Sequence, residues 1–288
     1  MTLAGRWLAL LAATAVVLTP GVPAAQTAAP TEQRWSSFLP LMKGEAIARG
    51  YELPLPFGVS VIYNYIARDI DVFDVRIGVN GAPPTTVSQF LNLGSNSSVN
   101  AALIKLDAFL LPFLNLYLLG GYLENESTST GQVTLPPVGP GPGREFDIEI
   151  PTSLSGFVLG GGSTIAAGYD VFFVTVDANY SVTDIGFADE FVALVASSRA
   201  GWNGKFGDIP TRLWLGAAYW DTENTARSTV EVAGVGTVQF EADQGPSHPW
   251  NASIGGQTVF RAPWEAFAEY GFNFQDVHFF AGGVTFRF

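Results

Sequence analysis

Residues 278–288 read HFFAGGVTFRF and close the chain. Their even positions are His278, Phe280, Gly282, Val284, Phe286 and Phe288; their odd positions are Phe279, Ala281, Gly283, Thr285 and Arg287. A period of two is the mark of a strand with two unlike faces. One face is apolar and ends in aromatics, the other is small or polar. The stretch before it repeats the pattern, with Trp264, Ala266, Ala268, Tyr270, Phe272 and Phe274 on one face and Glu265, Phe267, Glu269, Gly271 and Asn273 on the other. Two glutamates on a single face need water or partners, so that face is expected to line a lumen. Trp250, Ala252, Ile254, Gly256, Thr258 and Phe260 carry the apolar face one strand further, against Asn251, Ser253, Gly255, Gln257 and Arg261 inside.

Strand length separates two all-β readings. A secreted sandwich uses strands of about 5 or 6 residues, whereas a tilted barrel strand crossing a bilayer needs roughly 9 to 11. The stretches above match the second. Composition agrees: 48% of the 288 residues are hydrophobic, 13% aromatic and only 14% charged. Beyond the N-terminal region no apolar run approaches the roughly 20 residues of a spanning helix. A greasy chain without such a helix enters a membrane as a closed barrel, where strands satisfy one another's backbone groups.

The same parity runs back through residues 211–221, 191–202 and 171–181, and more weakly through 157–167, 115–125 and 99–110, where glycine and leucine fall on both faces. Residues 57–67 form the expected first strand, with Val59, Val61, Tyr63 and Tyr65 outward. The predicted fold is therefore all-β: a membrane-spanning antiparallel up-and-down β-barrel of about ten strands, with twelve or eight as alternatives. The difference of two rests on residues 228–233 and 237–243, which alternate well but are short for a crossing. They are read as a hairpin above the membrane, and the acid-rich residues 69–80 as an extension of the first strand. Short connections at 111–114, 168–170, 203–210 and 261–263 are expected in the periplasm. Long ones at 126–155, 182–190 and 222–249 are expected outside, making an acidic rim.

Residues 1–24 read as a cleaved signal peptide: Arg6, an apolar run over residues 7–18, then Pro20, Gly21 and Pro23, with Val22 and Ala24 as the small residues before the cut. Residues 25–56 are a lead-in, either a solvated periplasmic leader or a plug, in which Phe38, Leu39, Leu41, Met42 and Ile47 suggest one face of a short helix. The barrel proper spans 57–288, with both termini in the periplasm.

Fourteen basic residues against 26 acidic ones exclude a nucleic-acid binder, which needs a basic footprint. The absence of cysteine excludes disulfides and thiolate metal sites. On the inward faces stand Lys105, Asp107, Asp177, Arg199, Arg212, Arg261, Glu265, Glu269 and Arg287. Of these, Arg212, Arg261, Glu265 and Arg287 are expected to cluster near the periplasmic turns. This charge is either a self-neutralising internal plug or a constriction in a narrow pore. No catalytic residue, metal ligand or cofactor site is assigned. His248 lies in a Pro-rich loop, His278 on the lipid-facing parity, and neither sits in a hydrolytic motif. A membrane-embedded hydrolase or acyltransferase is the alternative class.

The alternating aromatics before a terminal phenylalanine, at Phe280, Val284, Phe286 and Phe288, resemble the C-terminal signal of Gram-negative outer-membrane barrels. That resemblance implies recognition by the barrel-assembly machinery and a setting in outer-membrane lipid and lipopolysaccharide. It covers residues 57–288 in a general way and transfers no functional residue.

Overall fold

The computed structural model describes residues 37–49, 51, 53–88, 91–135, 144–184, 191–222, 224–232 and 236–288. The expected signal peptide lies outside the described residues. A short helix, α1 (Lys43–Ala48), precedes thirteen strands: β1 (Phe57–Val79), β2 (Thr85–Thr86), β3 (Leu91–Leu111), β4 (Leu114–Leu135), β5 (Arg144–Tyr169), β6 (Phe172–Asp184), β7 (Phe191–Phe206), β8 (Ile209–Asp221), β9 (Asn224–Val232), β10 (Gly236–Pro246), β11 (Trp250–Arg261), β12 (Trp264–Phe272) and β13 (His278–Arg287).

Ten of these strands, β1, β3 to β8 and β11 to β13, pair antiparallel in sequence order, and β13 pairs with β1 to close the ring. Closure leaves no backbone edge facing lipid, the condition for strands to stand in a bilayer. Alternation sets the register. Along β13 the odd residues Phe279, Ala281, Thr285 and Arg287 are buried, while Phe280, Val284 and Phe288 are exposed. A register slip of one residue would put Arg287 into the lipid, so the pattern fixes the pairing.

Two aromatic girdles bound the outer face. Phe57 stacks on Phe288, and Trp264 packs on Phe286 and Trp202 on Phe206 in tilted pairs, at one end. Tyr122 packs on Phe157, Tyr219 on Trp250 and Phe272 on Phe274 at the other. Between them the exposed side chains are apolar, among them Val61, Ile104, Leu118 and Leu215. This is the banding of a transmembrane barrel.

Beyond the second girdle the wall continues, and here the expected strand limits need correction. Residues 126–135 and 144–155, expected as loop, are strand: β4 and β5 stay paired up to Leu135 and Arg144. Polar and glycine-rich side chains read as loop by composition, yet neighbour-to-neighbour backbone pairing carries them as strand. The β9–β10 hairpin pairs with the upper part of β1, from Ile70↔Pro246 to Val79↔Val238, standing above β13. It lies above the membrane, as its short halves suggest. The outcome is a ten-stranded ring that opens outward into a sheet ordered β5, β4, β3, β1, β10, β9.

The lead-in lies against the opposite end of the ring. Leu41 N–H donates to Leu110 O, and Phe109 N–H to Pro56 O. Leu53, Pro54 and Pro56 are buried. The expected apolar helix face is not used: α1 is only six residues long, buries none of them, and leaves Phe38, Leu41 and Met42 exposed. Backbone bonds and prolines, not an amphipathic helix, fasten this segment.

Candidate functional site

The lumen is built from the inward residues of the ten ring strands, and its two halves differ. Toward the strand ends near Arg287 it is ionic. Arg287 Nη1 donates to Asp107 Oδ2 at 3.0 Å and Arg287 Nε to Glu265 Oε2 at 3.1 Å. Asn115 Nδ2 donates to the same Asp107 oxygen at 2.9 Å, Gln257 Nε2 to Glu265 at 2.8 Å, and Lys105 Nζ stands 3.7 Å from Asp107 Oδ1. Guanidinium and ammonium also lie over rings, Arg287 over Phe109 and Lys105 over Tyr117.

One layer further in, Arg199 grips Glu269 through Nε and Nη2, the latter at 2.8 Å, and Ser253 Oγ donates to the same carboxylate at 2.6 Å. Asp177 is held by hydroxyls: Tyr117 OH at 3.0 Å and Thr164 Oγ1 at 2.7 Å. All these charged groups are under a tenth exposed. A buried charge persists when it is paired and its remaining hydrogen-bonding capacity is filled. In this half Lys105, Arg199, Arg212 and Arg287 face Asp107, Asp177, Glu265 and Glu269; further along β1 a fifth cation, the buried Arg68, which the sequence reading missed, donates to Thr222 Oγ1 at 3.2 Å.

Above this lies an apolar cluster, with buried polar residues such as Asn64, Arg68 and Asn125 beside and beyond it. Trp220 is wholly buried with its ring 5.3 Å from that of Phe279, in a cluster with Ile62, Ile66, Val99, Leu123 and Val277. Glycines make the filling possible. Tyr117, Trp214 and Phe267 each face a glycine that is their register partner on the next strand, Gly162, Gly255 and Gly283. A Cβ on any of them would fall within 3 Å of the opposing ring.

Of the nine charges expected inside, eight stand on inward positions and one does not. Arg261 is exposed, because the ladder between β11 and β12 shifts register between Thr258 and Arg261. The shift sets Arg261 opposite Trp264, and partners across a ladder share a face, here the outer one. Arg212 points inward but stays apart from the Arg287 group: its Nε donates to Asn203 Oδ1 at 3.2 Å and its guanidinium lies over Phe173. The expected four-residue cluster is thus Arg287 and Glu265 joined instead to Asp107 and Lys105.

A pair that spacing alone does not reveal joins two turns at the end of the ring opposite Arg287. His248 Nδ1 is 3.1 Å from Asp276 Oδ1. Asp276 sits in the turn after β12, where Asn273 Oδ1 accepts from the backbone N–H of residues 275, 276 and 277. The pair clasps the turn before β11 to the turn after β12. No cluster of three or more metal-ligating side chains occurs among the described residues.

No family model matches the chain, and no curated protein matches it. Solved structures similar to it include the outer membrane protein OprG from Pseudomonas aeruginosa, at 10% identity and TM-score 0.44, covering 82% of this chain and 99% of that one. The transport unit of the autotransporter AIDA-I from Escherichia coli is similar at 9% identity and TM-score 0.38, covering 81% and 90%. The Ralstonia pickettii toluene transporter TbuX is similar at 8% identity and TM-score 0.33, covering 82% and 90%. At such scores nothing about activity transfers, and the assignment of this chain as a barrel of the outer-membrane type rests on its own strand pairing and banding.

Proposed function

We propose that this protein is a non-enzymatic outer-membrane barrel with a closed lumen, a structural or surface-interaction protein rather than a solute pore. One observation carries the reading: the cross-section is occupied at successive levels by buried side chains bonded or packed to one another. Arg287, Asp107 and Glu265 fill one level and Trp220 with Phe279 another. A conducting pore requires a continuous polar, hydrated path, and the apolar cluster around Trp220 interrupts it. The leader-like N-terminus and the outward placement of Phe280, Val284 and Phe288 support delivery by the barrel-assembly machinery, with both termini periplasmic.

Single-channel recording of the refolded protein in a planar bilayer tests this. Wild type is expected to stay silent while its folded form migrates as a heat-modifiable band. Reproducible conductance steps whose ion selectivity moves toward cations in Arg287→Ala would establish the pore instead.

A further inference from the structure

Outward residues of β6, β7, β8 and β11 form two register rows near the girdle that holds Trp202. One row is Phe172, Trp202, Leu213 and Gly256; the next is Val174, Ala200, Leu215 and Ile254. Ala200 offers a single methyl between Val174 and Leu215, and the backbone of Gly201 and Gly255 forms the floor. The resulting hollow is open to the lipid side and holds about 630 Å³.

Arg261 lies at the end of β11, on the strand that supplies Ile254 and Gly256. The register shift turns it from the lumen to the lipid-facing side, beside Trp264. An exposed guanidinium at the girdle, where apolar surface meets polar headgroups, matches a phosphate in charge and in its bidentate geometry.

We infer that the hollow and Arg261 together bind one glycerophospholipid, an acyl chain lying along Ala200 and the phosphate on Arg261. A second copy of this chain would bury the Arg261 guanidinium against apolar wall without an anion, which charge burial opposes. The inference rests on the membrane placement proposed above. It does not depend on whether the lumen conducts.

Native mass spectrometry of the delipidated full chain in detergent, titrated with palmitoyl-oleoyl phosphatidylglycerol, tests it. Wild type is expected to hold one lipid per barrel. Arg261→Gln should weaken that adduct about fivefold, the weight of one basic residue near an anionic headgroup. Ala200→Trp should abolish it by filling the hollow, while Ile104→Trp on another face leaves it unchanged. Should Ala200→Trp fail to give a heat-modifiable band, Ala200→Leu and Arg261→Gln decide. Equal lipid retention in wild type, Arg261→Gln and the folded Ala200 variant would overturn the site. A wild-type dimer that Ala200→Leu dissociates would overturn it in favour of self-association. A folded, silent barrel that retains no lipid would remove this inference and leave the closed-barrel proposal standing.

Discussion

Arg287 and Asp107 bond to each other although a whole strand runs between them. Their common register partner on β1 is Gly58, which has no side chain to keep them apart. A Cβ at Gly58 would lie 2.5 Å from Asp107 Oδ1. Gly58→Ala is therefore expected to push the carboxylate off the guanidinium. The cost should approach the roughly 3 to 5 kcal/mol of breaking a buried ion pair. Denaturant unfolding in micelles reads it, and a wild-type midpoint would show that the pair tolerates the methyl.

Trp214 over Gly255 makes the same argument without charge. A Cβ on Gly255 would stand 2.6 Å from the indole, whereas at Gly120 the nearest neighbour, Val158 O, is 3.7 Å away. Gly255→Ala should destabilise by about 1 to 3 kcal/mol, as overpacking does, and Gly120→Ala should lie within about 0.5 kcal/mol of wild type. Comparable midpoints for the two variants would mean that the lumen is looser than its register implies.

Acid should loosen the outer hairpin before the ring. Asp74 accepts from Ser88 Oγ at 2.5 Å and lies 3.3 Å from Arg76, which also bonds Glu241 and Asp243 of β10. The Ser88 hydroxyl, and after it the Arg76 charge, hold the Asp74 carboxyl below its usual range against the opposing effect of burial. A depressed carboxyl contributes its stabilisation above the unfolded value, near pH 4, and loses it as pH falls through the folded value. Hydrogen exchange over residues 236–246, corrected for intrinsic rates, should show full protection at pH 6 and lose it below about pH 4. Arg76→Ala should reduce protection at both. Protection that stays flat to pH 3 would count against the Arg76 ion group as the fastening of the hairpin.

Phe288 completes the ring: its N–H donates to Phe57 O and its carbonyl accepts from Phe57 N–H, while its ring stacks on both Phe57 and Phe286. Deleting it, or Phe288→Asp, should leave degraded periplasmic protein in place of a heat-modifiable band in the outer-membrane fraction. Normal assembly of either variant would remove the C-terminus from the targeting argument.

The strand count and the inward parity were legible because lipid and lumen impose opposite demands on alternate residues, as Glu265 and Glu269 against Ala268 and Tyr270 illustrate. The hairpin above the membrane was legible from the shortness of its halves. Arg261 was not, because counting by two passes straight through a bulge that only the pairing with β12 discloses. The continuation of β4 to Leu135 and β5 from Arg144 was hidden by polar composition that reads as loop, although Glu145, Asp147 and Glu149 alternate with Phe146, Ile148 and Ile150. Ion partners such as Arg287 with Asp107, 180 positions apart, depend on which strands meet at closure. The clasp of His248 and Asp276 joins two turns that no local pattern connects.

A closed ring offers no vacant backbone, but this one regains two borders once it leaves the bilayer. Among the described residues, 144–156 of β5 pair only with β4, and β9 pairs only with β10. Unpaired strand borders are templates for foreign strands. On β5, Pro151 removes one donor from the border, and the exposed Asp147 and Glu149 place negative charge along it. In a crowded membrane whose barrels stand shoulder to shoulder, that guard makes the outer wall an end to the sheet rather than an invitation to extend it.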